Sequence, residues 1–229
     1  MAEAPAAAIL LAAGLGTRLD AGPKGLVAVG GRSLVAWAVA AVEACPQIDA
    51  FVLTVPGEDA AAGEAIAREA ASDKLSAVVA GGPTRQASVR LGLDAVPRRF
   101  ERIVCHDVAR PFARPGLFSA VLAALAGADG AVPVLPAADT LKRVAGDRVV
   151  GTIDRDEVVA AQTPQAFRRD ALEDAHRRAG EASVESTDDA ALLERAGYAV
   201  AAVPGDPDNF KVTVAADLRR AEAVLAARG

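Results

Sequence analysis

Residues 6–24 read AAAILLAAGLGTRLDAGPK, from Ala6 to Lys24. The first seven of these, residues 6–12, are small or branched apolar residues stopped by glycine, which reads as a buried strand. The strand passes at once into Ala13-Gly14-Leu15-Gly16-Thr17-Arg18 and then Pro23-Lys24. Small residues let successive backbone N–H groups approach a phosphate chain as an anion nest. Arg18 and Lys24 add fixed positive charge beside them. The stretch reads as the first strand and phosphate loop of an α/β domain.

The pattern continues outward. A helix is expected over residues 33–44 with Ser33 as its N-cap, then a strand at 50–55, a helix at 58–71 and a strand at 75–80 closed by Gly81-Gly82-Pro83. Residues 84–95 read as helix, 102–105 as strand and 131–135 as strand, with Pro115 opening a helix between the last two. Such β-α-β alternation implies a Rossmann-like, mostly parallel sheet with helices on both faces. Ligands then gather at the carboxyl ends of the strands, which singles out loops 13–24, 81–88 and 106–111.

Residues 139–156 break the alternation. Two β-prone runs, TLKRV and VVGTI, flank a turn at Gly146-Asp147, which reads as a protruding β-hairpin arm. An isolated hairpin is marginal in water, so the arm is expected to pack on a partner. Helices follow at 168–178 and 188–196, a strand at 199–203, and a last helix at 214–227 capped by Thr213. No linker is visible, and the 229 residues read as one domain, 1–229.

Composition narrows the function. Apolar residues make up 52 %, and the formal net charge is −5. That balance argues against a protein that coats nucleic acid, which needs a basic face, but not against a nucleotide substrate. Cys45 and Cys105 form no CxxC pair, so neither a zinc site nor a disulfide framework is suggested. Cys105, in the apolar run RIVC, reads as core. No apolar run reaches the roughly 18 residues of a membrane span, and the N-terminal stretch lacks the basic region of a signal peptide. These features fit a cytoplasmic protein.

The loop at 12–24 is not a dinucleotide fingerprint. The third glycine is replaced by Leu19, and the next strand ends Leu53-Thr54-Val55-Pro56 without an acid. No GK[ST] follows it either. Instead, L-A-A-G-x-G-x-R with P-K resembles the signature loop of sugar-phosphate nucleotidyltransferases. Later segments narrow the resemblance. They are Gly81-Gly82-Pro83-Thr84-Arg85-Gln86-Ala87-Ser88-Val89, His106-Asp107-Val108-Ala109-Arg110-Pro111 and Asp139-Thr140-Leu141-Lys142-Arg143. Thr152-Ile153-Asp154-Arg155, Gln162-Thr163-Pro164-Gln165-Ala166-Phe167, Thr187-Asp188-Asp189 and Asp208-Asn209-Phe210-Lys211-Val212-Thr213 complete the set. In this order they resemble the 2-C-methyl-D-erythritol 4-phosphate cytidylyltransferase family.

The resemblance implies attack by a substrate phosphate oxygen on the α-phosphorus of CTP. Its catalytic residues would be Arg18, Lys24, Arg155 and Lys211. CTP would be held by the backbone of Ala12, Ala13, Gly14 and Gly16, by Arg18 and Lys24, and by Gly81, Gly82, Ser88 and Asp107. The sugar-alcohol phosphate would meet Asp107, Arg110, Thr140, Arg155, Thr163 and Lys211. Mg²⁺ is implied as cofactor, with Asp107 and, more weakly, Asp208 as metal contacts. A homodimer is also implied, the arm completing the neighbour's site. His106 reads as a structural strand-end residue and His176 as an exposed helix residue. Ribitol-5-phosphate cytidylyltransferase and a non-catalytic nucleotide-binding homologue stay open as alternatives. Two departures from the family pattern stand out: Gly25-Leu26 after the P-K pair, and Pro83 after the paired glycines.

Overall fold

Ala6, Ala8, Leu10 and Ala12 pack into one apolar cluster, and Ala7 and Ile9 into another. Successive side chains of a strand point to opposite faces. The first strand, β1 (Ala6–Leu11), is therefore covered on both sides, as a central strand of an α/β sheet must be. The computed structural model describes residues 4–14, 16 and 22–227. Its further strands are β2 (Ala28–Val29), β3 (Arg32–Ser33), β4 (Ile48–Val55), β5 (Leu75–Ala80), β6 (Arg102–Asp107) and β7 (Gly130–Pro136). Then come β8 (Lys142–Ala145), β9 (Arg148–Thr152), β10 (Val159–Ala161), β11 (Gln165–Arg168) and β12 (Val200–Pro204). The α-helices are α1 (Leu34–Glu43), α2 (Ala60–Glu69), α3 (Arg85–Ala95), α4 (Pro115–Ala124), α5 (Arg169–Glu181), α6 (Asp189–Ala196) and α7 (Ala215–Ala226).

The main sheet has the order β10-β7-β11-β6-β1-β4-β5, with β12 also pairing β7. β1 lies parallel to β4 and β6, β4 to β5, and β7 to β12. Helices α1, α2 and α4 cover one face through Val35, Val39, Ile66, Phe118 and Val121. Helices α3, α5 and α6 cover the other through Val89, Leu93, Leu172, Leu192 and Leu193. The helix starts follow capping chemistry. Ser33 Oγ accepts from Ala36 N–H at 3.3 Å, and Thr84 Oγ1 accepts from Ala87 N–H at 3.1 Å. Pro115 occupies the first turn of α4.

Three expectations need correction, and one segment to which the sequence reading gives no element forms strands. Residues 159–168 contribute two strands, β10 and β11, and both run antiparallel to their neighbours. Gln162, Pro164 and Gln165 interrupt the apolar alternation there, and the Thr163–Pro164 bond is cis. β6 continues two residues beyond Cys105 and so carries His106 and Asp107 within the sheet. Thr213 does not cap α7. Val214 holds the cap position, and Asp217 accepts from both Thr213 N–H and Val214 N–H, at 2.7 and 2.9 Å. His176 is buried, because it continues the apolar stripe Leu172, Ala175, Ala179 on the inner side of α5.

β8 and β9 form the expected arm around Gly146. Both strands are exposed along their whole length, and Val144 and Val149 are 65 % and 64 % exposed. A smaller apolar cluster, Val27, Val29, Leu34, Phe112, Val212 and Ala221, joins the β2–β3 hairpin to α7. Among the described residues, no helix is long and apolar enough to cross a membrane.

Candidate active site

The carboxyl ends of β1 and β6, with the loop after β5, surround a cleft of about 240 Å³. One wall is residues 11–14 with Lys24, a second is residues 82–85 with Ser88, and a third is residues 107–109 with Lys211. A larger hollow, about 760 Å³, lies by Ala4, Arg102 and Arg169, at the strand ends opposite those where α/β ligands bind.

Each wall is built by local bonds. Lys24 begins a short 3₁₀ turn (Lys24–Leu26), and its N–H donates to Gly14 O at 3.2 Å, folding the loop back onto β1. Gly25 is buried there, and a Cβ at that position would stand 3.1 Å from Ile66 Cδ1. Ile66 of α2 thus occupies the space a larger residue would need. On the second wall Ser88 Oγ accepts from Gly82 N–H at 3.1 Å and donates to Thr84 O at 3.0 Å. Gly81 N–H is taken by Val55 O at 2.8 Å. A Cβ on Gly81 would meet Ala13 Cβ at 2.4 Å, so the close approach of the two loops requires glycine.

The third wall is electrostatic. Asp107 is buried and accepts from Arg85 Nε at 3.0 Å on one oxygen and from Lys211 Nζ at 2.6 Å on the other. Burial alone would raise its carboxyl. Arg85 and Lys211 outweigh that and hold it well below the usual carboxylate range. Lys211 sits between Phe210 and Val212, which pack into the α7 cluster, and Val212 N–H donates to Ala109 O at 2.8 Å. Its side chain remains 40 % exposed, and it lines the cleft. His106 is fully buried against Phe118, and burial pushes it down to about 3, so the ring is neutral.

The model of the 2-C-methyl-D-erythritol 4-phosphate cytidylyltransferase (IspD) family matches residues 6–227. The chain belongs to this family. It is 45 % identical over 226 residues to a bifunctional IspD/IspF enzyme of Clavibacter michiganensis, covering 95 % of this chain and 54 % of that protein. It is 44 % identical over 219 residues to the 2-C-methyl-D-erythritol 4-phosphate cytidylyltransferase of Deinococcus radiodurans, covering 95 % and 88 %. The chain thus spans about half the length of the bifunctional relatives it matches. The crystal structure of the Thermus thermophilus enzyme of the same name superposes with a TM-score of 0.78 at 35 % identity, covering 96 % of this chain and 98 % of that one.

The cleft of this IspD family member gathers many of the residues singled out from the sequence: Ala12, Ala13, Gly14, Lys24, Gly82, Ser88, Asp107 and Lys211 all line it. Gly81 stands behind the wall, and Gly16 packs against Lys24. Ala12 N–H is bonded to Thr54 O at 2.9 Å, so Ala12 offers the cleft only its carbonyl. Thr163 Oγ1 lies 3.2 Å from His106 Nδ1 and accepts from Asp107 N–H at 3.1 Å. Arg110 donates to Asn209 O at 2.8 Å. Asp208 pairs with Arg114 at 3.4 Å. None of Thr163, Arg110 and Asp208 lines the cleft. Thr140 and Arg155 are exposed beside the arm, Arg155 by 61 %, and do not line it either. Arg18 lies outside the described residues. Among those described, no three His, Cys, Asp or Glu side chains cluster to hold a metal.

Arg85 and Asp189 lie in segments that carry the resemblance but receive no role from the sequence, and His176 behind them reads as exposed. Arg85 NH1 donates to Asp189 Oδ2 at 2.8 Å, and Asp189 Oδ1 lies 3.1 Å from His176 Nε2. Burial works against both ions. Asp189 and Asp107 nevertheless raise Arg85, while Arg85 and His176 hold Asp189 below the carboxylate range. The Cys105 thiol is core, as its apolar run suggests, and burial pushes it up, with the Asp189 carboxylate reinforcing the shift. The position of Arg85 directly after a helix-capping Thr84, at the end of a strand, is the available signal.

Proposed function

We propose that the chain transfers a cytidylyl group from CTP to 2-C-methyl-D-erythritol 4-phosphate, releasing pyrophosphate, as a cytoplasmic enzyme. The observation that carries this reading is that Lys24 and Lys211 line one cleft together with Gly14 and Gly82. A substrate phosphate oxygen forms a bond to the α-phosphorus as the bond to the β-phosphate oxygen breaks. No protein nucleophile is needed. The protein brings two anions together and neutralises the growing charge. Lys24, with Arg18, serves the triphosphate, and Lys211 serves the attacking phosphate. Mg²⁺, held by the nucleotide with Asp107, would supply further charge neutralisation. Among the described residues, the donor set would suit an ion carried by the nucleotide with a single carboxylate, Asp107, rather than a protein cage.

The base wall favours cytosine. Gly81 and Gly82 have spent their N–H groups, and Pro83 has none. The Gly82 and Pro83 positions of the wall therefore offer carbonyl acceptors but no donor, which suits the exocyclic amino group of cytosine rather than the O4 of uracil. With Mg²⁺ and 2-C-methyl-D-erythritol 4-phosphate, pyrophosphate release is expected from CTP at least tenfold faster than from UTP at equal concentration, on the order of 1–3 kcal/mol for one unmatched buried polar group, and faster than from ATP or GTP, whose purines are too large for the closed pocket. Comparable turnover with ATP or GTP would sink this reading. Ribitol 5-phosphate as acceptor in the same assay tests the alternative second substrate.

The arm supports a shared site. Val144, Val149 and Val150 are exposed on a hairpin too small to stand alone, and a symmetric dimer is the commonest way to bury such a surface. On this reading Thr140 and Arg155 complete the partner's cleft, while Lys24 and Lys211 serve their own. Refolding an inactive Lys24→Ala chain together with an inactive Arg155→Ala chain is expected to restore activity, because each hybrid dimer then holds one site with both residues intact. A mixture that stays dead, with dimer exchange demonstrated, assigns both residues to one chain.

A further inference from the structure

We infer that Asp189 and His176 are positioning residues for Lys211, acting through Arg85 and Asp107. Five side chains form one continuous chain: His176 Nε2 to Asp189 Oδ1 at 3.1 Å, Asp189 Oδ2 to Arg85 NH1 at 2.8 Å, Arg85 Nε to Asp107 Oδ1 at 3.0 Å, and Asp107 Oδ2 to Lys211 Nζ at 2.6 Å. It begins in the core between α5 and α6, where the His176 and Asp189 side chains are 3 % and 1 % exposed, and ends at the cleft. The proposal rests on the cytidylyl-transfer reading of that cleft.

Two features make this more than a buried ion pair. First, Asp189 uses each oxygen on a different donor, so Arg85 is held from behind by one fixed carboxylate. Second, Arg85 reaches forward with a different nitrogen, Nε, to only one oxygen of Asp107. The second Asp107 oxygen is thereby left for Lys211. With Asp189 neutral, nothing opposes a closer, two-pronged grip of the guanidinium on Asp107, the arrangement Arg and carboxylate favour. Asp107 then turns from Lys211, and the ammonium loses its fixed place. His176 in turn keeps Asp189 facing Arg85. Near-attack geometry tolerates little displacement, and about 1 Å is enough to cost 10²-fold in rate.

The test is a double-mutant cycle on the full chain. Asp189→Asn is expected to lower kcat/KM about 10- to 100-fold with CTP and 2-C-methyl-D-erythritol 4-phosphate. In an Asp107→Asn background the same change is expected to add less than twofold, because the pathway is already cut. His176→Leu is expected to lower kcat/KM and His176→Gln to restore it, since glutamine can present an N–H where Nε2 stands. A second readout needs no turnover: the rate at which an amine-acylating reagent modifies Lys211, followed by peptide mass spectrometry with Lys74 as internal reference. Asp189→Asn is expected to speed acylation of Lys211 several-fold in the wild-type background and not in Asp107→Asn. Multiplicative losses in the cycle, or equal acylation in both, overturn the positioning role. A wild-type chain with no cytidylyl transfer overturns the functional reading instead, and the acylation cycle still decides the positioning.

Discussion

Lys24→Ala is expected to lose about 10²–10³ of kcat while unfolding at the wild-type temperature. The lysine lines the cleft, whereas the fold holds its position through the backbone bond from Lys24 N–H to Gly14 O and through Gly25 packed on Ile66. Truncating the side chain removes the charge and leaves those contacts in place. A cation matched to charge that develops only at the transition state lowers kcat more than it raises KM when lost. Lys24→Arg should recover part of the loss, since the charge returns with a different shape. Steady-state kinetics with CTP varied, beside a thermal melt, decide the matter. A Lys24→Ala enzyme with wild-type kcat/KM shows that the charge is not used.

Gly81→Ala is expected to cost about 10²-fold in kcat/KM and about 1–3 kcal/mol in stability. One added methyl group would stand 2.4 Å from Ala13 Cβ and 2.9 Å from Ser88 Oγ. Both neighbours belong to cleft walls, so relief of the clash spreads the loop after β1 from the loop after β5. A methyl group added at Gly116, in the first turn of α4, would meet nothing within 4 Å. Gly116→Ala is therefore the matched control, expected to keep full activity. Equal behaviour of the two variants would mean that the loops separate freely and their contact does not shape the site.

The parallel half of the sheet can be read from the chain because its signals are local. Residues 75–80 form a short, mostly apolar run that stops at paired glycines, and Ser33, Thr84 and Pro115 mark helix starts by chemistry confined to one turn. β10 and β11 stay hidden because their pairing comes from strands far away, while Gln162 and Gln165 look like loop residues until their partners are seen. The cleft is legible where it is made of loops that follow strands, as with Gly14 and Gly82, or of a strand's last residue, as with Asp107. The charge chain is not. Arg85 meets Asp189 across 104 residues, and no spacing rule reports that. His176 misleads because Arg177 and Arg178 follow it. Its spacing of four from Leu172 carries the correct answer.

The small cluster beneath Lys211 has a consequence for how the chain is made. Val29 and Leu34 share that cluster with Val212 and Ala221, which follow far later in the sequence, and Gly30 N–H donates to Glu222 Oε1 at 2.9 Å. During synthesis the segment that carries Lys24 leaves the ribosome well before Lys211 and α7. A growing chain therefore presents the first wall of the cleft before the third can form. The two walls meet only when α7 closes over the β2–β3 hairpin.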